Sequence, residues 1–280
     1  MKKLFKLLCL SAFVLVTGCS DDKDEATTQT IKLSKLTVTD TDSQHGTFTY
    51  NFTYNDKGAL YQFTEKSTNG YYDNTTTHIY NNNGLLTSNA LEGKGYGAHY
   101  KDSFTYDANT RLTSIEHKYV LISDPTRPTE PLFYTFEYNA QGQISRINTS
   151  ETSGTNGSAA AYLLTYDKAG NVSRQERYTI TNTGELKEMT SDIAFTYDNK
   201  KNPYYKLGAI NFLYGYTIIG FVSFSEPISP NNMTKAVIHL YGGGNQSSKT
   251  IDLQYEYNDR NLPTKVTYGN VTHILEYTIK

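Results

Sequence analysis

From about residue 45 onward apolar and polar residues alternate with period two over short stretches, and most of the stretches end alike. Phe52-Thr53-Tyr54-Asn55-Asp56-Lys57-Gly58 returns as Phe104-Thr105-Tyr106-Asp107-Ala108-Asn109, Phe136-Glu137-Tyr138-Asn139-Ala140-Gln141-Gly142, Leu164-Thr165-Tyr166-Asp167-Lys168-Ala169-Gly170 and Phe195-Thr196-Tyr197-Asp198-Asn199-Lys200, with weaker copies at Ile79-Tyr80-Asn81-Asn82-Asn83-Gly84 and Tyr255-Glu256-Tyr257-Asn258-Asp259. Aromatic-x-aromatic puts both rings on one face of a strand and turns the middle Thr or Glu to the other. Asp or Asn after the tyrosine favours an Asx-turn, and a glycine three residues later supplies positive φ for a bulged type I turn. The chain then reverses into return strands such as Arg111-Leu112-Thr113-Ser114-Ile115 and Gln143-Ile144-Ser145-Arg146-Ile147.

From Tyr54 through Tyr80, Tyr106, Tyr138 and Tyr166 to Tyr197 the steps are 26, 26, 32, 28 and 31 residues, and Tyr257 follows 60 later, leaving room for one degenerate copy. Such a period marks a repeated supersecondary unit. Eight hairpins imply roughly fourteen to eighteen antiparallel strands, each with an aromatic and a Thr/Ser/Lys face. A sheet that long curls into a barrel, half-barrel or two packed layers. Pro- and Gly-containing stretches, Asp124 to Pro131 and Ser153 to Ser158, read as longer loops between hairpins. No mature segment carries a capped 3.6-residue periodicity, so the prediction is all-β, a single domain over 31–280.

Before that domain the pattern changes. Lys2, Lys3 and Lys6 precede an apolar run from Leu7 to Val16 that is short for a membrane span, followed by Val16-Thr17-Gly18-Cys19. This segment resembles a bacterial lipoprotein signal, which implies a signal peptide over 1–18 and a diacylglycerol on Cys19 that anchors the chain to a membrane. Cys9 leaves with the leader and Cys19 is acylated, so the mature chain has no thiol for a disulfide, a metal or a nucleophile. Loss of the three leader lysines takes the formal charge of −2 down by three to −5. With no Lys/Arg cluster among aromatics, that overall balance argues against nucleic acid or anionic lipid as a partner. Residues 19–30 read as a flexible tether with a reach of ~20 Å.

The acidic run Ser20-Asp21-Asp22-Lys23-Asp24-Glu25 is similar to the export signal that sends Bacteroidetes lipoproteins to the outer face of the outer membrane. The F-x-Y-D/N-x-x-G-x-L phrase resembles the YD or Rhs repeat. Together with the lipobox, the leash and Asn202-Pro203, residues 45–280 resemble a Bacteroidetes lipoprotein family of unknown function whose domain is described as porin-like in fold. That resemblance implies a surface location. True Rhs shells have many more repeats and carry a toxin domain, and a shell of this size would enclose little. A membrane-spanning pore is opposed by the polar alternate face, the lipid anchor and the non-aromatic end Tyr277-Thr278-Ile279-Lys280.

Candidate chemistry is sparse. His45, His78, His99, His117, His239 and His273 show no paired ligand spacing and read as exposed strand histidines. Asp40-Thr41-Asp42-Ser43 lacks the glycine and distal glutamate of a calcium loop, and Gly242-Gly243-Gly244 lacks the lysine and helix of a phosphate loop. Glu65, Glu137 and Glu256 lie on strands, and Glu137 and Glu256 share the middle slot of their repeats, which elsewhere is a Thr of the solvated face. No metal, cofactor or catalytic set emerges. The stretch from Asn202 to Met233 breaks the repeat and holds Tyr204, Tyr205, Tyr214 and Tyr216 among glycines and prolines, so these four are the candidate binding residues. They either plug the curled sheet as core or form a platform for sugar rings or a peptide. The expected function is a non-enzymatic glycan- or protein-binding scaffold module. The alternatives are a glycan hydrolase or lyase with converging carboxylates, and a structural subunit of an outer-membrane complex.

Overall fold

The computed structural model describes residues 30–42, 46–95, 97–126, 129–150, 159–181, 183–205, 207, 225–242 and 245–279. The leader, Cys19 and the tether up to residue 29 lie outside the described residues, as do His45, Tyr214 and Tyr216. Seventeen strands follow in order: β1 (Ile31–Asp40), β2 (Thr47–Tyr54), β3 (Leu60–Ser67), β4 (Asp73–Tyr80), β5 (Leu86–Lys94), β6 (Ala98–Tyr106), β7 (Leu112–Leu121), β8 (Leu132–Tyr138), β9 (Ile144–Thr149), β10 (Ala160–Tyr166), β11 (Val172–Ile180), β12 (Leu186–Lys201), β13 (Asn231–Gly242), β14 (Asn245–Asp252), β15 (Gln254–Tyr257), β16 (Pro263–Tyr268) and β17 (Val271–Ile279). One helical turn, α1 (Ser225–Ile228), precedes β13.

Sequence neighbours pair antiparallel, and β1 pairs with both β2 and β17, so the meander returns on itself. β14 and β15 form one extended run interrupted at Leu253, with β14 paired back to β13 and β15 onward to β16. The result is a nearly closed all-β barrel, which resolves the expectation of a barrel, half-barrel or layered sheet.

Strand parity follows the repeat tyrosines. Counting back by twos from Tyr106 gives Phe104, Asp102 and Tyr100 on the inner face and Thr105, Ser103 and Lys101 on the outer one. Leu33, Leu86, Phe104, Ile115, Phe136, Ile147, Leu164, Ile193, Phe195, Ile238, Val266 and Leu275 belong to one core cluster drawn from strands all around the barrel. Ile115, Ile147, Ala236 and Ile238 are wholly excluded from solvent. A water-filled lumen would leave such side chains wet, so this barrel is filled. Outward, the strands carry cross-strand ion pairs: Lys35 with Glu276 at 2.7 Å, Arg174 with Asp192 at 2.8 Å and Lys265 with Glu256 at 2.8 Å. Glu137 and Glu256 face outward as expected, whereas Glu65 is buried, accepting from Tyr50 Oη and Asn74 Nδ2 at 2.9 Å each.

Two rims result. One carries the repeat turns, in which the Asx side chain accepts from the amides two and four residues on; Asn139 Oδ1 receives Gln141 N at 3.0 Å and Gln143 N at 2.9 Å. Gly58, Gly84, Gly142 and Gly170 sit at positive φ, and where the glycine is missing Thr110 (φ 64°) and Asn261 (φ 57°) adopt that conformation. The other rim carries the longer connections between hairpins.

At the tight-turn rim a ring of tyrosines joins the hairpins. Beyond the last paired residues of β3 and β4, Gln62 and Thr77, the strands splay, and Tyr80 Oη donates to the Leu60 carbonyl at 2.7 Å. The same bond runs from Tyr54 to Leu33, Tyr106 to Leu86, Tyr138 to Leu112, Tyr166 to Ile144, Tyr197 to Val172, Tyr255 to Met233 and Tyr277 to Pro263, all at 2.7–2.8 Å. Each acceptor but one lies opposite the tyrosine of the preceding unit, as Leu60 lies opposite Tyr54; Pro263 lies opposite Tyr257. Leu33 lies opposite Tyr277, which closes the ring. A phenol thus satisfies a carbonyl that the splayed ladder leaves without an amide. Burial raises Tyr80, Tyr138, Tyr166 and Tyr277 and pushes Tyr54 and Tyr106 up to about 12.

The ring corrects the repeat count. Tyr257 does not fill the next place after Tyr197; Tyr255 does, and Tyr257 instead donates to Asp198 Oδ2. Among the described residues the 60-residue interval forms one hairpin unit with an inserted segment, and the eighth tyrosine of the ring is Tyr277. The histidines also depart from expectation: His78 and His273, 1% and 5% exposed, point inward, because they share parity with Tyr80 and Tyr277, and His117 shares the inner face with Ile115. Burial pushes His78 and His273 down to about 4.

Candidate binding site at the interrupted turn

Asp198 opens a turn like the others, and its Oδ1 accepts from Lys200 N at 2.9 Å. The second amide comes from Asn232 at 3.1 Å. In an ordinary unit that donor lies four residues after the Asx, as Arg111 follows Asp107; here it lies 34 residues on. Thirty residues are therefore grafted into one tight turn with its two Asx side-chain hydrogen bonds intact. Asp198 Oδ2 also receives the Tyr257 hydroxyl, and this bond together with burial raises the Tyr257 phenol.

The two ends of the graft are bonded to each other and to the neighbouring hairpin. Asn202 N donates to Pro230 O at 2.9 Å, Asn202 Nδ2 to Ser229 O at 2.9 Å and Asn231 Nδ2 to Lys200 O at 3.0 Å. Ser229 Oγ accepts from Val172 N at 3.0 Å and donates to Tyr197 Oη at 3.1 Å, while Asn171 Oδ1 accepts from Asn231 N at 3.0 Å. This stem is buried at Asn202, Ser229 and Asn232.

Of the four candidate tyrosines, Tyr204 and Tyr205 are described. Asn202 Oδ1 caps the turn by accepting from Tyr204 N at 2.9 Å. Tyr204 packs against the core and overlies a cavity of about 10 Å³ between Asn232, Met233, Tyr255 and Val266, room for roughly one water. Tyr204 therefore packs as part of the core. Tyr205, 37% exposed, is on the outside of the stem.

The interior also holds a polar row. His78, Asn89, Asp102 and His117 are cross-strand neighbours over β4, β5, β6 and β7. His117 Nδ1 lies 2.7 Å from Asp102 Oδ1, and Tyr100 stacks on the His117 ring at 5.2 Å between centroids. Asp102 is fully buried, and burial raises its carboxyl against the opposing bond from His117. The dyad lies within the filled barrel, and among the described residues no serine, threonine or tyrosine hydroxyl hydrogen-bonds to it. The missed signal was parity: Asp102 is two places before Phe104, on the face of Tyr106. Among the described residues no three His, Cys, Asp or Glu side chains converge to hold a metal.

The barrel is similar to solved structures. A porin-like protein from Bacteroides uniformis ATCC 8492 aligns with a TM-score of 0.52 at 15% identity over 89% of this chain and 96% of that one. A porin-like protein from Bacteroides vulgatus ATCC 8482 gives 0.40 at 12% identity over 89% and 99%. TcdB2-TccC3 without its hypervariable C-terminal region gives 0.31 at 16% identity over 80% of this chain and 9% of that one. The first similarity shows a shared porin-like β fold. No protein-family model and no curated protein matches the chain.

Proposed function

We propose that the protein is a lipid-anchored, water-facing barrel on the outer membrane, exposed at the cell surface, and that it acts as a non-enzymatic scaffold presenting its hairpin loops to a glycan or a protein. The observation that supports this reading is the filled interior: among the described residues, solvent-excluded side chains on strands around the barrel occupy the space a channel would need. The outward ion pairs support a barrel that meets water, since a lipid-facing band is apolar. The lipobox and acidic leash support the location, in keeping with the Bacteroidetes lipoprotein family that residues 45–280 resemble.

The test is a glycan array and a polysaccharide turnover assay on the mature chain. Saturable binding without new reducing ends is expected, and hydrolysis or lyase cleavage of any polysaccharide overturns the scaffold reading. Tyr205→Ala should fold normally and show whether the stem contributes to binding, whereas Tyr204→Ala should lose stability.

A further inference from the structure

The barrel has a polarity relative to its root. Ile31 and Ile279 both lie at the tight-turn rim, where Leu33 closes the tyrosine ring. Lys32 fastens the root there, donating through Nζ to the Gly58 carbonyl and lying 4.6 Å over the Tyr54 ring. The described chain therefore enters the barrel at the tight-turn rim and not at the loop rim.

A twelve-residue leash spans ~20 Å on average and ~40 Å when fully drawn out. Nine-residue strands tilted in a barrel stand roughly 25 Å tall. Resting on the loop rim would draw the leash along the whole wall and remove most of its conformational freedom; resting on the tight-turn rim costs none of it.

Charge points the same way. At the tight-turn rim Lys57, Lys168, Lys201 and Arg260 accompany Asp56 and Asp259 at the tips, with Lys32 and Lys200 beside them, while the Asx carboxylates of Asp107, Asp167 and Asp198 accept hydrogen bonds within their own turns and Asp107 is paired with Arg111. At the loop rim Asp42, Asp124, Glu130, Glu185 and Glu188 are exposed against Lys94 and Lys187. An anionic phosphate surface attracts the first rim and repels the second.

We infer that the tight-turn rim is the lipid-docking face: the barrel stands on it against the phosphate headgroups, with the Asp198 stem and Tyr205 beside them and the loop rim turned outward to partners. This rests on acylation of Cys19. The mature chain then has no other thiol, so single cysteines report position cleanly. Ala140→Cys marks an exposed tip of the tight-turn rim and Ser123→Cys an exposed loop-rim site.

Each full-length variant is extracted from membranes, labelled with a thiol-reactive fluorophore and reconstituted into phosphatidylglycerol/phosphatidylethanolamine vesicles containing a nitroxide-headgroup lipid. Quenching several-fold stronger at residue 140 than at 123 is the expected result. Equal or reversed quenching on acylated protein overturns the orientation and leaves the anchor standing. An N-terminal peptide without acyl mass overturns both. Protection of residue 140 in native envelopes that disappears in pure-lipid vesicles assigns the rim to a protein partner and overturns the lipid surface.

Discussion

Replacing Tyr106 by phenylalanine keeps its ring in the core and removes one oxygen from the tyrosine ring of the rim. The β5–β6 ladder ends at Ser88 and Ser103, so the Leu86 carbonyl has the Tyr106 hydroxyl, at 2.8 Å, as its donor beyond the ladder. Leu86 is 8% exposed, which leaves water limited access once the hydroxyl is gone. A net hydrogen bond contributes about 0.5–1.5 kcal/mol and a stranded buried acceptor costs about 1–3 kcal/mol, so a loss of about 1–2 kcal/mol is expected. For a domain of this size that lowers Tm by roughly 2–8 °C. Thermal unfolding of the mature chain followed by circular dichroism measures it. Tyr61→Phe, on an exposed ring outside the core, is the reference and should stay within about 0.5 kcal/mol of the parent. If Tyr106→Phe cannot be told from Tyr61→Phe, the ring bonds do not stabilise the rim and the reasoning fails.

Stability should also fall with acid. His78 and His273 stay neutral in the fold down to about pH 4, while the unfolded chain takes up their protons near pH 6.5; stability is therefore full above about pH 6.5 and declines as pH falls towards 4, by about 2 kcal/mol per histidine at pH 5. Urea midpoints at pH 7 and 5 check this, and a His78→Asn, His273→Asn double variant that keeps the full pH slope would refute it. Thr110→Gly should gain about 1 kcal/mol, because a β-branched residue is held at φ 64°, and Gly170→Ala, at φ 87°, should lose about as much; both are read from denaturant unfolding. Replacing residues 201–231 with one glycine restores the spacing of Asp167 to Asn171 between Asp198 and Asn232, and the variant should fold with the parent far-ultraviolet spectrum. Failure to fold would show that the graft, not the turn, organises β12 and β13.

The repeat was legible because a tyrosine ring needs a fixed partner geometry. The aromatic-x-tyrosine triplet, the Asx cap and the positive-φ glycine are all local, so Tyr54, Tyr80, Tyr106, Tyr138, Tyr166 and Tyr197 are legible from their immediate neighbours. Tyr255 and Tyr277 did not, since their places depend on which strand lies beside them: Tyr255 is two residues from its turn, and Tyr277 has no described turn after it. The site was half legible. A break in the pattern marked Asn202 to Met233, but the packing of Tyr204 under the rim and the exposure of Tyr205 follow from bonds between residues 202 and 230. His78 and Asp102 were readable by parity, yet a polar residue on an aromatic face is easily assigned to the wrong side.

By itself the sequence determined the strands, their faces and the turns, because period-two alternation and turn chemistry act over a few residues. It also carries the leader and lipobox pattern on which the anchor reading rests. Only the tertiary structure decided closure, since β1 meets β17 across 240 residues of chain through a ladder that no local preference specifies. The same long-range pairing put leash root and grafted turn on one rim.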